Sequence, residues 1–214
     1  MSLSINELFH SIQGESLYNG LPCVFVRLSG CNLRCSYCDT SYAYEEGVEM
    51  DIPEILEQVA IFKCPLVEIT GGEPLLQPET PRLVSNLLNK GYEVILETNG
   101  SLDISVIDGR CVKIVDVKCP SSNESDKNDL NNLKRLSPKD QLKFVIGDRK
   151  DYEYAREILK LRSKGLPLSH ILFSPVSGKI APARLAKWII EDNLRVRLHL
   201  QLHKIIWPNI LRGV

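Results

Sequence analysis

The sequence predicts an α/β protein, an incomplete TIM-like (β/α) barrel with about six parallel strands. Short apolar runs alternate with longer amphipathic segments along the 214 residues, an order typical of parallel βαβ units. The strands and helices that this pattern yields are fewer than the eight of each in a full barrel. Neither an internal repeat nor a low-complexity tract interrupts the pattern. We therefore expect a single domain over residues 1–214.

Individual elements follow from local composition. Runs rich in β-branched and aliphatic residues predict strands at 23–29, 66–70, 93–98, 112–118, 141–146, 170–175 and 195–202. Amphipathic segments predict helices at 52–63, 78–90, 150–165 and 181–193. Gly91, Gly165 and Asn193 follow the last apolar residue of three helices, as C-caps do. The polar segment 120–132 lacks an apolar period and is expected to be a mobile loop.

The overall composition argues against several classes of protein. Basic and acidic residues number 26 and 27, so the net charge of −1 gives no indication of nucleic-acid or membrane binding. The first 20 residues contain Glu7 and Glu15 and no long apolar run, which is unlike a signal peptide or a membrane anchor. Seven cysteines without a secretion signal indicate reduced thiols. We expect a soluble, cytoplasmic globular protein.

Unusual residues lie where the predicted strands end. These segments are Gly30-Cys31, TGGEP (70–74), ETNG (97–100), DVKCP (116–120) and Ser174-Pro175. Active sites of parallel α/β folds gather at the carboxyl ends of the strands. The sequence therefore predicts one site at this edge of the sheet.

Three cysteines, Cys31, Cys35 and Cys38, lie within eight residues in SGCNLRCSYCDTSY. A zinc site usually has four ligands, and the nearest spare candidates, Cys23, His10 and Asp39, lack zinc-ribbon spacing. Buried structural cysteines are a further alternative, but this segment is polar and rich in turn residues. Three thiolates suit a [4Fe–4S] cluster and leave one iron open to a ligand from outside the protein.

The C-x3-C-x2-C motif resembles the signature of the radical S-adenosylmethionine (SAM) superfamily. The resemblance implies that the open iron binds the amino and carboxylate groups of SAM and that reduction yields a 5′-deoxyadenosyl radical. Tyr37, the aromatic before the third cysteine, would lie near the adenine. Gly72 and Glu73 belong to a segment similar to the superfamily's GGEP element. Glycines permit close approach of the backbone to a ligand, and the carboxylate of Glu73 would accept from the SAM ammonium.

Arg27 interrupts an apolar predicted strand. Period-two alternation places Val24, Val26 and Leu28 on one face and Phe25 with Arg27 on the other. A guanidinium there needs an anion. That anion is either a substrate carboxylate, which a guanidinium binds bidentately, or a protein partner, for which the candidates are Glu15, Glu73 and Glu97.

Segments along most of the chain together resemble the 7-carboxy-7-deazaguanine synthase family of radical SAM enzymes: HSIQGES, VRLSGCNLRCSYCDT, TGGEP, ETNG and LQLHKIIW. The resemblance implies a lyase of queuosine and 7-deazapurine biosynthesis. It implies conversion of 6-carboxy-5,6,7,8-tetrahydropterin to 7-carboxy-7-deazaguanine with release of ammonia. The implied cofactors are the [4Fe–4S] cluster, Mg²⁺ and SAM that is regenerated in each cycle.

The same resemblance assigns site residues. The cluster ligands are the three cysteines named above, and Thr40 is the Mg²⁺ ligand. The SAM contacts are Tyr37, Gly72, Glu73, Asp116, Val117 and Lys118. The substrate contacts are Ile12, Gln13, Gly14, Glu15, Arg27, Thr70 and Val214. Because DVKCP stands where the family has a Ser-Pro-Lys-like segment, Lys118 is the residue of that segment that transfers most directly.

Other features stay open at this level. His199, Gln201 and His203 alternate with leucines and face either the pocket or solvent, while Cys64, Cys111 and Cys119 are expected to be structural. The resemblance implies a homodimer and a flavodoxin-type electron donor. The alternatives are a radical SAM activase that acts on a glycyl-radical partner protein, and an iron–sulfur or zinc protein without catalysis.

Overall fold

A single nine-stranded sheet carries the fold in the computed structural model, which describes residues 2–214. The strands are β1 (Ser2–Ile12), β2 (Pro22–Leu28), β3 (Val48–Asp51), β4 (Leu66–Gly71), β5 (Glu93–Thr98), β6 (Val112–Val117), β7 (Gln141–Ile146), β8 (Ile171–Pro175) and β9 (Arg197–Leu198). Their order in the sheet is β3-β1-β2-β4-β5-β6-β7-β8-β9. The sheet is open, since β3 and β9 form its two edges.

The predicted α/β class with a mostly parallel sheet is confirmed. Neighbouring strands from β2 through β9 pair in parallel, whereas β1 pairs antiparallel with both β2 and β3. The strand count exceeds the predicted six because of the two-residue β9 and the two antiparallel strands. Sequence reasoning missed β1, whose last three residues are the first three of the HSIQGES segment.

The helices are α1 (Ile52–Ile61), α2 (Thr80–Asn89), α3 (Asn132–Arg135), α4 (Arg149–Leu159), α5 (Pro182–Glu191) and α6 (Leu202–Ile206). Asp51 and Asp148 cap α1 and α4, since each carboxylate accepts a backbone N–H three residues on. Gly91 and Asn193 have positive φ just after α2 and α5, as the cap prediction requires. The prediction for Gly165 is wrong, because α4 already ends at Leu159 and turns follow it.

The two faces of the sheet have different environments. Val24, Val26 and Leu28 of β2 are fully buried in an apolar core that also contains side chains of α1 and α2. Phe25 and Arg27 face the other side, as the alternation predicted, and line a cavity. The helices therefore cover one face while the inner face of the curved sheet holds the polar site.

Two other segments differ from expectation. Within the predicted strand 195–202 only Arg197–Leu198 pairs with β8, and α6 begins at Leu202. The segment 120–132 contains 3-10 turns at Pro120–Ser122 and Ser125–Lys127, and its mobility stays a prediction. Over residues 2–214, no helix is both long and apolar enough to span a membrane.

Candidate active site

A cavity of about 810 Å³ opens at the carboxyl ends of the parallel strands. Fifteen of the seventeen residues that the sequence assigned to a site line it: Ile12, Gln13, Gly14, Glu15, Arg27, Cys31, Cys35, Tyr37, Cys38, Thr40, Thr70, Gly72, Asp116, Lys118 and Val214. These residues come from nearly the whole length of the chain. The two that do not line the cavity are Glu73 and Val117.

The cysteine loop leaves β2 through Gly30, whose φ of 91° favours glycine. The three thiols are free and half-buried. Burial raises the pKa of Cys31, and that of Cys35 to about 11, while nearby Lys118 acts in the opposite direction. Thiolates here need a further cationic partner, which the irons of a cluster supply. Among residues 2–214, no group of three or more His, Cys, Asp and Glu side chains is arranged to hold a metal ion.

The segment 121–124 holds the cysteine loop in place through hydrogen bonds. Ser36 donates its backbone N–H to the carbonyl of Ser122 over 3.0 Å and its hydroxyl to that of Ser121 over 2.7 Å. The backbone N–H of Arg34 donates to Glu124 Oε1 at 2.6 Å. The polar segment that sequence reasoning treated as a loop thus positions the thiols.

Gly72 brings the end of β4 against the same loop. A Cβ at Gly72 would overlap the carbonyl oxygen of Gly30 and lie 2.7 Å from the Cβ of Cys31. The next backbone N–H, that of Glu73, donates to the Gly30 carbonyl over 2.7 Å. Only glycine permits this approach, so the strand end forms a backbone wall beside the thiols.

Glu73 has a different task from the predicted one. Its carboxylate accepts from Leu75 N at 3.0 Å, Thr98 Oγ1 at 2.8 Å and Asn99 N at 2.7 Å. The side chain is fully buried and lies outside the cavity lining. It joins the turns after β4 and β5 and has no surface left for the SAM ammonium. Val117 likewise packs in the apolar core, so its side chain is unavailable to SAM.

A polar band crosses the inner face of the sheet. Arg27 of β2 pairs in register with Thr70 of β4, and Asp116 of β6 pairs with Lys143 of β7. Glu97 of β5 lies between these two pairs of strands and also lines the cavity. Parallel neighbours in register present their side chains to the same face, which is how five strands supply one site.

Lys143 is the centre of a buried charge cluster. Its Nζ lies 2.8 Å from Glu15 Oε2 and 3.7 Å from Asp116 Oδ2, and it also bonds Glu97 Oε1. Burial alone would raise the pKa of Glu15, but Lys143 and His203 lower it below its ordinary range. Glu15 is therefore an anion in the cavity. At Glu97, burial raises the pKa more than the neighbouring Lys143 lowers it, so the pKa of Glu97 is raised.

Glu68 is a second buried acid at the floor of the cavity. Burial and the neighbouring Glu97 and Glu15 raise its pKa well above the ordinary value. Its carboxyl accepts from Nε2 of Gln13, whose Oε1 in turn accepts the backbone N–H of Glu15 at 2.6 Å. Gln13 thus fixes the turn that carries Glu15.

Arg27 has a protein partner that the sequence did not suggest. Its Nε lies 2.6 Å from Oε1 of Glu7 on β1, rather than near Glu15, Glu73 or Glu97. The guanidinium carbon lies 5.9 Å from the centroid of the Phe9 ring and 6.0 Å from that of the Tyr42 ring. The side chain also lines the cavity.

The chain ends across the mouth of the cavity, in what we call the closing segment (residues 201–214). Gln201 Nε2 donates to Glu15 Oε1 at 2.9 Å, and Lys204 Nζ pairs with Asp39 Oδ2 at 2.6 Å. Burial lowers the pKa of His203 despite nearby Glu15, so the imidazole is neutral at pH 7. Gln201 and His203 line the pocket, whereas His199 is buried beside it.

Two buried polar atoms near the thiols lack a partner within residues 2–214, namely Asp116 Oδ1 and the hydroxyl of Tyr37. The other oxygen of Asp116 accepts from Lys118 Nζ at 2.9 Å. Unsatisfied buried polar atoms are costly unless a ligand or water meets them. The free thiols, the glycine wall and these atoms together fit a cluster with a polar co-ligand such as SAM.

Sequence reasoning missed Glu7, Glu68 and Lys143. Each is a charged residue within a predominantly β-forming stretch, the same signal that singled out Arg27. Applied to every predicted strand, that signal would have found Glu68 and Lys143 but not Glu7, because the strand that contains Glu7 was not predicted.

An open α/β barrel with three thiols at its carboxyl end is the architecture of a radical SAM protein. A sequence model described as the radical SAM superfamily matches residues 25–177, more than half of the chain, and the chain belongs to this superfamily. Its members use a [4Fe–4S] cluster and SAM.

Similar proteins of known name indicate which family of the superfamily this chain belongs to. The chain is 44% identical to the 7-carboxy-7-deazaguanine synthase of Koribacter versatilis, over 99% of this chain and 100% of the relative. It is 44% identical to the enzyme of the same name from Chlorobaculum tepidum, over 99% and 97%. The crystal structure of QueE from Escherichia coli matches with a TM-score of 0.80 and 25% identity over 95% of both chains. The chain is a member of the 7-carboxy-7-deazaguanine synthase family.

Proposed function

We propose that this chain converts 6-carboxy-5,6,7,8-tetrahydropterin to 7-carboxy-7-deazaguanine and ammonia, in the biosynthesis of queuosine and related 7-deazapurines. The carrying observation is that a single cavity gathers the three thiols, Arg27, Glu15 and the closing segment. The near-full-length identity to synthases of that name supports the same activity. The reaction is redox-neutral overall, since product and ammonia together have the composition of the substrate.

The cysteine side of the cavity binds the cofactors in this proposal. Cys31, Cys35 and Cys38 hold the cluster, which together with bound SAM supplies the radical chemistry. Tyr37 and the backbone at Gly72 contact SAM, and Asp116 offers it an oxygen that has no other partner. Lys118 Nζ lies 2.9 Å from the other Asp116 oxygen, so the two oxygens of this carboxylate have different surroundings.

The opposite side binds the pterin. Arg27 binds its carboxylate, because a guanidinium has the planar donor pair that a carboxylate accepts. Glu15 stays ionised beside Lys143 and accepts hydrogen bonds from the N–H edge of the ring system, with Gln13 fixing its turn. Ile12, Gly14, Thr70 and Val214 complete the wall. The closing segment excludes water from this side of the cavity.

Three further features belong to the proposal. Thr40, whose hydroxyl lies 3.1 Å from Asp39 Oδ1, contributes to a Mg²⁺ site that substrate oxygens and water complete. The protein acts as a homodimer in the cytoplasm, and a flavodoxin-type protein reduces the cluster. The activase alternative is not favoured, because the relatives that match nearly the whole chain are 7-carboxy-7-deazaguanine synthases.

The test is anaerobic incubation of reconstituted protein with SAM, reductant, Mg²⁺ and the carboxylated tetrahydropterin, followed by mass spectrometry. We expect a product lighter than the substrate by one ammonia, with SAM not consumed in proportion. Cleavage of SAM without conversion of the pterin would refute the substrate. An intact cluster without SAM cleavage would refute the radical reaction as well. A Cys35→Ser variant, which removes one cluster ligand, is the matched inactive control.

A further inference from the structure

Glu7 lies outside the residues discussed so far for catalysis, yet it is the partner of Arg27. The two face each other across β1 and β2, in register. The register shifts by one residue between Ile5 and Glu7, as at a β-bulge. Without that shift, Asn6 would stand opposite Arg27, so the bulge is what aligns the carboxylate with the guanidinium.

Each oxygen of Glu7 contacts a different part of the site. Oε1 accepts from Arg27 Nε at 2.6 Å and from the hydroxyl of Tyr42 at 3.0 Å. Oε2 accepts from the backbone N–H of Gly213, in the closing segment, at 3.2 Å. The carboxylate therefore links the guanidinium to the chain that lies over the cavity.

The choice of nitrogen matters for ligand binding. Because Glu7 takes Nε, the two Nη nitrogens are the pair that Arg27 can present to the cavity. The rings of Phe9 and Tyr42 pack near the guanidinium and restrict its rotation. The side chains of Arg27 and Glu7 are only 14% and 16% exposed, so the pair is desolvated and its geometry is fixed.

We propose that Glu7 is a positioning residue, which aims the Nη nitrogens of Arg27 at the substrate carboxylate and couples that alignment to the closing segment through Gly213. The inference rests on the proposed function, in which Arg27 binds the carboxylate. It adds that the carboxylate is recognised by a pre-aligned clamp and that clamp and cover move together.

Two substitutions separate position from charge. Glu7→Asp keeps the charge but withdraws the carboxylate by one methylene, so that it no longer reaches both Arg27 Nε and Gly213 N. Glu7→Gln keeps the length and removes the charge. Arg212→Ala loosens the closing segment elsewhere, because Arg212 pairs with Glu46 at 3.1 Å and lies over the ring of Tyr42. Glu49→Asp, at an exposed position on β3, is the matched control.

The measurement is the dissociation constant of 6-carboxy-5,6,7,8-tetrahydropterin and of its 6-methyl analogue, with cluster and SAM present and reductant absent. The dissociation constant of the methyl analogue divided by that of the carboxylated pterin is the ratio that reports recognition of the carboxylate alone. We expect Glu7→Asp to reduce the wild-type ratio by about tenfold, the effect of one misplaced hydrogen bond to a charged group. Glu49→Asp should retain the wild-type ratio, whereas Arg212→Ala should lower it by less than Glu7→Asp does, because it disturbs the clamp only through the closing segment.

Hydrogen exchange of residues 207–214 in the same protein without pterin is the second readout. We expect faster exchange in both Glu7→Asp and Arg212→Ala. The proposal is overturned if Glu7→Asp keeps the wild-type ratio, if its exchange is unchanged, or if only Glu7→Gln alters the ratio, since charge would then be the cause. Should Glu7→Asp not fold, Tyr42→Phe removes one donor to the same carboxylate and should lower the ratio by about threefold.

Wild-type turnover distinguishes a failure of the proposed function from a failure of the proposed role of Glu7. A protein that prefers the carboxylated ligand but does not convert it would refute the proposed function and leave the role of Glu7 measurable. A protein that converts it with an unchanged ratio in Glu7→Asp would refute the role of Glu7 alone. A double variant with Arg27→Lys completes the test, because Glu7→Asp should have no further effect on the ratio there.

Discussion

Replacement of Lys143 by Met tests whether ion-pair attraction outweighs desolvation in the charge cluster at the cavity floor. At an effective dielectric constant of about 20, an ion pair at 2.8 Å attracts with about 6 kcal/mol and one at 3.7 Å with about 4.5 kcal/mol. Desolvation of the ammonium offsets several kcal/mol of this attraction. Loss of one partner from a buried pair typically lowers the free energy of unfolding by about 3–5 kcal/mol, which is our expectation at pH 7.5.

The loss of stability in Lys143→Met should become smaller as the pH falls. In the wild type the pKa of Glu15 is depressed, so its contribution is present at neutral pH and is lost only as the pH falls. Without Lys143, burial raises the pKa of Glu15 and further raises that of Glu97. The variant then takes up protons at mildly acidic pH and regains stability, so its deficit should shrink by about 1 kcal/mol or more at pH 5.5.

Urea unfolding of the cluster-free protein, followed by circular dichroism at both pH values, measures this. Lys160→Met is the control, since Lys160 pairs with Glu157 on the surface, where both side chains are 67% exposed. That variant should differ from the wild type by less than about 0.5 kcal/mol. A deficit below about 1 kcal/mol in Lys143→Met, or one that grows towards acidic pH, would refute the reasoning.

Three further outcomes are expected. Cys35→Ser should abolish the visible absorbance of the reconstituted cluster, whereas Cys111→Ala, at a buried position within the apolar core, should retain it; equal loss in both would contradict the ligand assignment. Gly72→Ala should lower SAM affinity in equilibrium dialysis because a Cβ there collides with backbone, while Gly91→Ala, which meets open space but has φ of 90°, should cost only about 1 kcal/mol of stability. Tyr152→Phe removes a buried hydroxyl whose single proton is shared between the Trp188 carbonyl and the Asp192 carboxylate, and it should lower the unfolding free energy by about 1–2 kcal/mol in urea titrations; no change would contradict a role of this hydroxyl in stability.

The parallel strands and the position of the site followed from the sequence for the same reason. Central parallel strands are buried on both faces and so appear in the sequence as largely apolar runs, and the end of each run marks the edge of the sheet where functional residues gather. Cys31, Gly72 and Asp116, which lie near the ends of such runs, line the cavity at that edge.

The antiparallel part of the sheet was missed for an equally physical reason. SLSINELFHSI mixes polar and apolar residues because its inner face belongs to the site and the bulge near Asn6 breaks the period of two. The opposite error occurred at 195–202. There a regular alternation predicted a strand, but the edge position leaves only Arg197–Leu198 paired.

The partners of buried charged residues were the feature hardest to predict from the sequence. Arg27 was recognised as a buried cation, but its partner Glu7 is selected by the register of two strands. Glu73, by contrast, was assigned to SAM because its segment resembles the GGEP element, whereas its carboxylate joins two turns. Local sequence shows that a charge is buried and does not show which group meets it.

The separation of the closing segment from the cysteines has a consequence for biogenesis. Residue 201 follows Cys38 by 163 positions, so a ribosome completes the thiol loop long before it makes the chain that covers the cavity. During that interval the thiols face solvent, and the machinery that delivers iron and sulfide has an open route to them. Synthesis itself therefore provides an interval in which the cluster can be loaded before the closing segment docks.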